Sequence, residues 1–332
     1  MPIEAPYLLF LGDAPDDLAA KTALGIARWR PEACLGQLRL PGCRADAGLP
    51  DMSVREAAAR GAGALVVGVA NAGGVLAEAW VDVLVEALDA GLDVASGLHT
   101  RLASFPAVRA AASRNGRRLF DVRHTDRTFA TGTGIKRSGK RLLTVGTDCS
   151  VGKKYTALAI ERELRRRGVK VDFRATGQTG ILIAGSGVAI DAIPADFISG
   201  AAEWLSPDND PDHWDVVEGQ GSVFHPSFAG VSLGLLHGTQ PDAFVVCHEP
   251  TRKKMRGVEL RLPSLEECIH ATVAAGRVTN PEIRCVGTAI DTSCLDAPAA
   301  REYLRRIERD LGLPCVDPLA TGVGPLADRL LA

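Results

Sequence analysis

The chain has 332 residues, 46% of them hydrophobic, enough to bury a sizeable core and to divide into two domains. Its 38 basic and 40 acidic residues nearly cancel, which excludes the strong positive field that would hold nucleic acid or an anionic membrane and leaves a small molecule as the expected partner. No apolar run reaches membrane-spanning length, the start lacks a secretion-signal pattern, and the eight cysteines are scattered without CxxC spacing. A cytoplasmic protein with reduced thiols and no resident metal is expected.

From the N-terminus, LLFLG from Leu8, LVVGVA from Leu65 and DVASGLH from Asp93 are short β-like runs. They alternate with helix-like stretches such as VLAEAWVDVLVEALDAG, the pattern of a parallel sheet with crossover helices. This predicts a Rossmann-like domain, although no GxGxxG fingerprint is present. GVANAGG, from Gly68, leaves a strand and is open between a plain turn and a place where a ligand approaches the backbone.

The polar, glycine-dotted segment between Arg123 and Lys140 reads as a linker. The boundary is placed there, giving residues 1–130 to the Rossmann-like domain and 131–332 to a second α/β series that carries the cofactor site. In it RLLTV, VKVDF, WDVVE, DAFVVC and IRCVGTAI read as strands, with helices after residues 152, 227, 264 and 297.

RLLTV runs into GTDCSVGK and then a helix whose Ala157, Ile160 and Leu164 share one face. Arg165, Arg166 and Arg167 in the last turn, followed by Gly168, mark the helix C-terminus, so its N-terminus lies at the loop. Free amides there, with Lys153, suit an anion. Gly146, Thr147, Cys149, Ser150, Val151, Gly152, Lys153 and Lys154 are therefore the candidate cofactor-binding residues. Against GxxxxGK[ST] the loop is one residue longer, and Lys154 stands where a hydroxyl would hold magnesium; Thr156 comes two positions late. GTDCSVGK resembles the GTDTxVGK loop of dethiobiotin synthetase, and EGQGS from Glu218 resembles that enzyme's EGAGG. The resemblance implies a parallel-sheet P-loop fold, and the Lys154 substitution puts ATP hydrolysis in doubt.

Further strand ends carry polar groups. Arg174, Gln178 and Thr179 surround the ATGQTG turn, Glu218 ends WDVVE, His225 precedes Pro226, and HEPTRKKMRG follows DAFVVC with Arg252, Lys253, Lys254 and Arg256. Open parallel sheets bind ligands at such ends.

Four long strings, GTDCSVGKKYTA, RATGQTGILIAGSGVAIDAIPADFISGAAE, VVEGQGSVFHPSFAGVSLGLLHGTQPDAFVVCHEP and TAIDTS, carry a wider likeness. The chain resembles a family, once uncharacterised, with a Rossmann-like N-terminal part and a P-loop C-terminal part, whose members include a D-glutamate N-acetyltransferase. The resemblance implies acetyl-CoA as co-substrate, D-amino acid catabolism and an acidic amino acid as acceptor. A loop that anchors the carrier's phosphates without cleaving them would need no metal hydroxyl.

Aminolysis of a thioester needs a proton acceptor and donors for an oxyanion. Glu218 is read as base or amine anchor, or as a group with a magnesium or water role, and His225 as a sharer of the proton work or a hydrogen-bonded loop histidine. Asp148 is open between contact with the amine or a metal and an Asx turn. Arg174 is read as a clamp for a dicarboxylate, with Gln178 and Thr179 as neutral donors and Arg252 and Lys253 as partners for carboxylates or a ribose phosphate. Cys149 is read as a loop residue in preference to a nucleophile. The alternatives are an ATP- and Mg-dependent ligase or kinase and a nucleotide-binding scaffold. A homo-oligomer is the base-rate expectation for a metabolic enzyme.

Overall fold

The computed structural model describes residues 3–125 and 127–332. These residues pack as two compact units.

The first unit, Met1–Arg127 with Gly177–Ala189, is built on a five-stranded parallel sheet of order β2-β1-β3-β4-β5. In chain order its elements are β1 (Tyr7–Gly12), α1 (Lys21–Trp29), β2 (Cys34–Arg39), α2 (Val54–Ala59) and β3 (Ala64–Val67). They continue with α3 (Val81–Asp89), β4 (Asp93–Ser96), α4 (Pro106–Asn115) and β5 (Leu119–Asp121). β1, β3 and β4 are buried at every position, as expected for parallel strands covered on both faces, and β1 and β3 read as apolar runs, whereas β4 is bounded by the buried polar residues Asp93 and Ser96. Leu8, Phe10, Leu65, Val67, Leu84 and Leu88 form one core, with Phe10 edge-on to Trp80 at 5.6 Å.

The second unit, Thr128–Thr176 with Ile190–Ala332, has a six-stranded parallel sheet of order β11-β10-β9-β6-β8-β7. β6 (Lys140–Gly146), α5 (Lys153–Arg166) and β7 (Val171–Arg174) come first. The chain then gives α6 (Gln178–Ala184) to the first unit and returns with α7 (Ile198–Leu205), β8 (Trp214–Val217) and α8 (Ala229–Thr239). β9 (Ala243–His248), α9 (Leu265–Gly276), β10 (Arg284–Ile290), α10 (Ala297–Leu311), β11 (Cys315–Val316) and α11 (Gly324–Leu331) complete it. α5 packs against β6, β7 and β8, whereas α8 and α9 pack against β6, β9 and β10. β8 and β9 flank β6, so the C-terminal end of β6 is the topological switch point where such sheets open a crevice.

Two sequence readings differ from this fold. ATGQTG is not a turn alone, because Gln178 opens α6, whose Ile181, Leu182 and Ile183 are buried in the first unit. There the Thr179 hydroxyl meets that of Thr22 at 2.9 Å, and Arg30 donates to the Ile183 carbonyl at 2.6 Å. The units also divide after Arg127, not at 130/131, and residues 177–189 cross over. Short apolar runs do not reveal which sheet they cover.

Three strands fell outside the sequence pattern. β2 has six residues but is only partly buried and lacks a continuous apolar run, and β5 and β11 have three and two residues, too few for a periodicity to register.

Candidate functional site

The turn between β6 and α5 is shaped by two residues in the left-handed region, Ser150 at φ 53° and Gly152 at φ 95°. Alternating handedness turns successive amides toward one concavity, an anion nest. The amides of Ser150, Val151, Gly152 and Lys153 meet no acceptor among the described residues. Lys153 is buried, and its ammonium donates to the Asp148 carbonyl at 2.7 Å across the turn. Burial pushes its pKa down, so an arriving anion would restore stabilisation to a charge already out of water.

Lys154, in the place of the metal-holding hydroxyl, has its ammonium 4.5 Å from the centre of the Tyr155 ring. Thr156 does not replace the missing hydroxyl: it is buried and donates to the Gly152 carbonyl at 3.0 Å. A recess of about 30 Å³, lined by Val151, Gly152, Tyr155, Asp291, Asp317 and Leu319, adjoins the turn.

A strap over residues 249–262 braces the turn. It is pinned by the antiparallel Lys254–Arg261 bridge and by the Met255 amide on the Leu260 carbonyl at 2.9 Å. Arg252 donates to the Asp148 carboxylate at 2.8 Å and to the carbonyls of Cys149 and Ser150 at 2.6 and 3.1 Å. The Arg256 amide donates to the same carboxylate at 2.8 Å and its guanidinium to the Ser150 hydroxyl at 2.6 Å. Asp148 also accepts from the amide of the next residue, Cys149, at 2.7 Å, which is not the bond to the amide two residues on that an Asx turn would make. Lys253 is exposed, with its carbonyl accepting from the Leu262 amide.

The EGQGS segment lies on the other flank. Glu218 is buried and accepts from the Thr176 amide at 3.1 Å. The Gly219 amide donates to the Thr144 hydroxyl at 2.9 Å, and Ser222 donates to the Thr147 carbonyl at 3.3 Å. A Cβ on Gly219 would stand 1.6 Å from the Thr144 carbonyl and 3.2 Å from the Lys153 side chain, so the glycine is what lets this segment reach the turn.

His225 is buried with both ring nitrogens engaged: Nδ1 accepts from the Ser227 amide at 3.2 Å, and Nε2 lies 2.9 Å from the Arg256 carbonyl. That pairing assigns the proton to Nε2. Thr147 meets Nδ1 of His248 at 3.0 Å, and burial pushes the His248 pKa down to about 4.

Asp148, Cys149 and His225 place one ligand atom each within 4.8 Å of one another. A cation there would compete with Arg252 for Asp148 and with the Arg256 carbonyl for His225. Burial pushes the Cys149 thiol up, which keeps it protonated and speaks against a nucleophile.

The sequence-predicted residues thus separate into two groups. Glu218, Asp148, His225, Arg252 and residues 146–153 come together around one turn. Arg174, Gln178 and Thr179 do not join them as free groups. Arg174 pairs with Asp215 at 2.7 Å and Asp172 at 3.1 Å, so it would have to leave a buried carboxylate to clamp a substrate, and Gln178 and Thr179 belong to the first unit. Arg256 and His248 are the functional candidates that sequence reasoning left unranked; each is close to a strand end, but only their bonds to the turn distinguish them.

Two family models match the chain. The DUF1611_C P-loop domain of unknown function covers residues 128–327, and the DUF1611_N Rossmann-like domain covers residues 38–125. A relative from Tritonibacter scottomollicae named D-glutamate N-acetyltransferase is 53% identical over 99% of this chain and 99% of its own. A Pseudoalteromonas sp protein of the same name is 51% identical over 99% of this chain and 100% of its own. The crystal structure of a DUF1611 family protein from Anabaena variabilis shares the fold with a TM-score of 0.87 at 29% identity, over 99% of each chain.

Proposed function

The chain belongs to the DUF1611 family, and we propose that it transfers the acetyl group of acetyl-CoA to the amino group of D-glutamate, as a step in D-amino acid catabolism. The observation that supports acetyl transfer to D-glutamate is identity above one half, over 99% of the chain, with two proteins named D-glutamate N-acetyltransferase; acetyl-CoA as donor is proposed on the chemistry of the turn.

The turn's chemistry agrees with it. Coenzyme A presents a diphosphate and a ribose phosphate that must be held and not cleaved. Four unsatisfied amides and a desolvated ammonium supply that hold, while Lys154 replaces the ligand that a hydrolytic magnesium site would need. Arg252 and Arg256 add charge at the rim.

The same reading bears on Glu218, Asp148 and His225. A long pantetheine arm separates the thioester from the diphosphate, so residues that touch the phosphate turn are placed to shape the anchor. Taking the amine proton then falls to a group farther along the arm.

The test is release of free CoA thiol from acetyl-CoA with D-glutamate, L-glutamate and D-aspartate in turn, alongside thermal stabilisation by CoA and by ATP with magnesium. Release with D-glutamate and stabilisation by CoA are expected. Stabilisation by ATP with magnesium alone, with no thiol released by any amine, would replace this reading with an ATP-dependent ligase or kinase.

A further inference from the structure

α7 and α8 run side by side in the same direction in the outer layer of the second unit. Gly234 packs on Ile198, and Gly238 packs on Ser199 and Ala202. A helix in such a layer ordinarily carries an apolar stripe inward and a polar face outward. α8, AGVSLGLLHGT, has no such division, being apolar around most of its circumference. Residues 219–241 contain no Lys, Arg, Asp or Glu at all.

The outward side is correspondingly apolar. Phe228 is 44% exposed and Leu233 39%, beside Phe197 at 37% just before α7. Toward the other end of the pair Trp204 is 47% exposed, with its ring 5.7 Å from that of Phe129. Three aromatic rings exposed to this degree offer roughly 200–300 Å² of apolar surface. With the aliphatic groups between them, this reaches the few hundred Å² at which a patch marks a contact site.

We propose that this α7/α8 face is the contact between two copies of the chain. Three considerations select that occupant. A helix apolar on all sides is a helix buried on all sides, so the face has a cover in the working protein. A membrane surface is a poor cover, because interfacial helices bind through Lys and Arg on their flanks and α8 has neither. A twofold contact sets each residue near the axis against its own copy, so any charge there would meet like charge. A face free of charge over residues 219–241 is compatible with itself. Asp196, exposed beside Phe197, lies at its border, whereas Glu203 turns inward to the Thr133 and Gly134 amides and leaves the face uncharged. The Phe228 ring also lies 4.6 Å from that of His225, so the contact abuts the segment that reaches the phosphate turn.

The test is the mass of the full chain in solution, by sedimentation equilibrium or light scattering at tens of micromolar, for wild type, Leu233→Glu and Phe228→Ser. A wild type of at least twice the single-chain mass is expected, with both variants reduced to one chain and an unchanged far-UV spectrum. A monomeric wild type would overturn the proposal, as would folded variants that keep the wild-type mass. A wild type that pairs only with an unlike protein would do the same. Should Leu233→Glu fail to fold, Phe228→Ser decides alone.

Discussion

At the scale of single residues, Lys153 and Glu218 are buried titratable groups with different tasks. Lys153 has one partner, the Asp148 carbonyl, and spare donors. Lys153→Ala should weaken CoA binding by roughly 10–100-fold, the value of one charge-assisted hydrogen bond, and leave the fold intact. Titration of CoA into the variant by calorimetry measures this. Glu218 lies beside the turn, and on the present reading it shapes the anchor. Glu218→Gln should therefore raise the KM for acetyl-CoA and leave the shape of the pH profile of kcat unchanged. Loss of the acidic limb of that profile would return Glu218 to the role of base. His248 sets a pH dependence of stability. Burial holds its folded pKa at about 4, against 6.5 for the free group, so the unfolded chain binds the proton first as pH falls. Stability should decline between pH 6.5 and 4, by an upper limit of about 3 kcal/mol, and His248→Gln should flatten that decline in urea titrations.

At the scale of elements, the sequence marks β6, α5, β8, α8, β9, α9 and β10 because long apolar runs and caps announce them. Ser264 and Glu267 form a capping box at the start of α9, and Arg165 and Arg166 lie in the last turn of α5. It does not mark how helix ends are satisfied at a distance. Arg137, in what reads as a linker, donates to the Ser206 carbonyl after α7 at 2.7 Å and to the Gly238 carbonyl at the end of α8 at 2.8 Å. One cation thus answers the C-terminal partial charges of two helices. Arg141, fully buried behind it, donates to the Ser206 and Pro207 carbonyls. Burial, and after it the neighbouring Arg141 guanidinium, push the Arg137 pKa down to about 10, still far above neutrality. Arg137→Met should therefore destabilise the second unit by roughly 2–3 kcal/mol, since it strips carbonyls of their donor. Urea unfolding followed by Trp204 and Trp214 fluorescence reads this. The site was legible to the same extent: the turn and Glu218 follow from residue types at fixed spacing. Arg174 was misleading, because the partner that occupies it, Asp215, sits across a strand pairing that a linear pattern does not display.

At the scale of the whole molecule, the two units are not two consecutive lengths of chain. α6 leaves the second unit between β7 and α7 and is buried in the first, where it packs along α1. Thr179 there shares a hydrogen bond with Thr22, and Ile181, Leu182 and Ile183 are each more than nine-tenths buried. Burying three such side chains stabilises by roughly 5–8 kcal/mol, comparable with the whole net stability of a domain. The first unit should not stand without it. A fragment of residues 1–127 lacks this helix and should be molten or insoluble, and residues 128–332 alone should expose α6 and aggregate. The two fragments expressed together should recover a soluble complex, because α6 can still reach its place from a separate chain. Soluble, cooperatively unfolding 1–127 on its own would mean that the burial of α6 contributes little, and that the linear boundary read from the sequence is the physical one. Extending that fragment by a flexible linker and residues 177–189 separates the causes: restored cooperative unfolding assigns the defect to the missing helix and not to the cut.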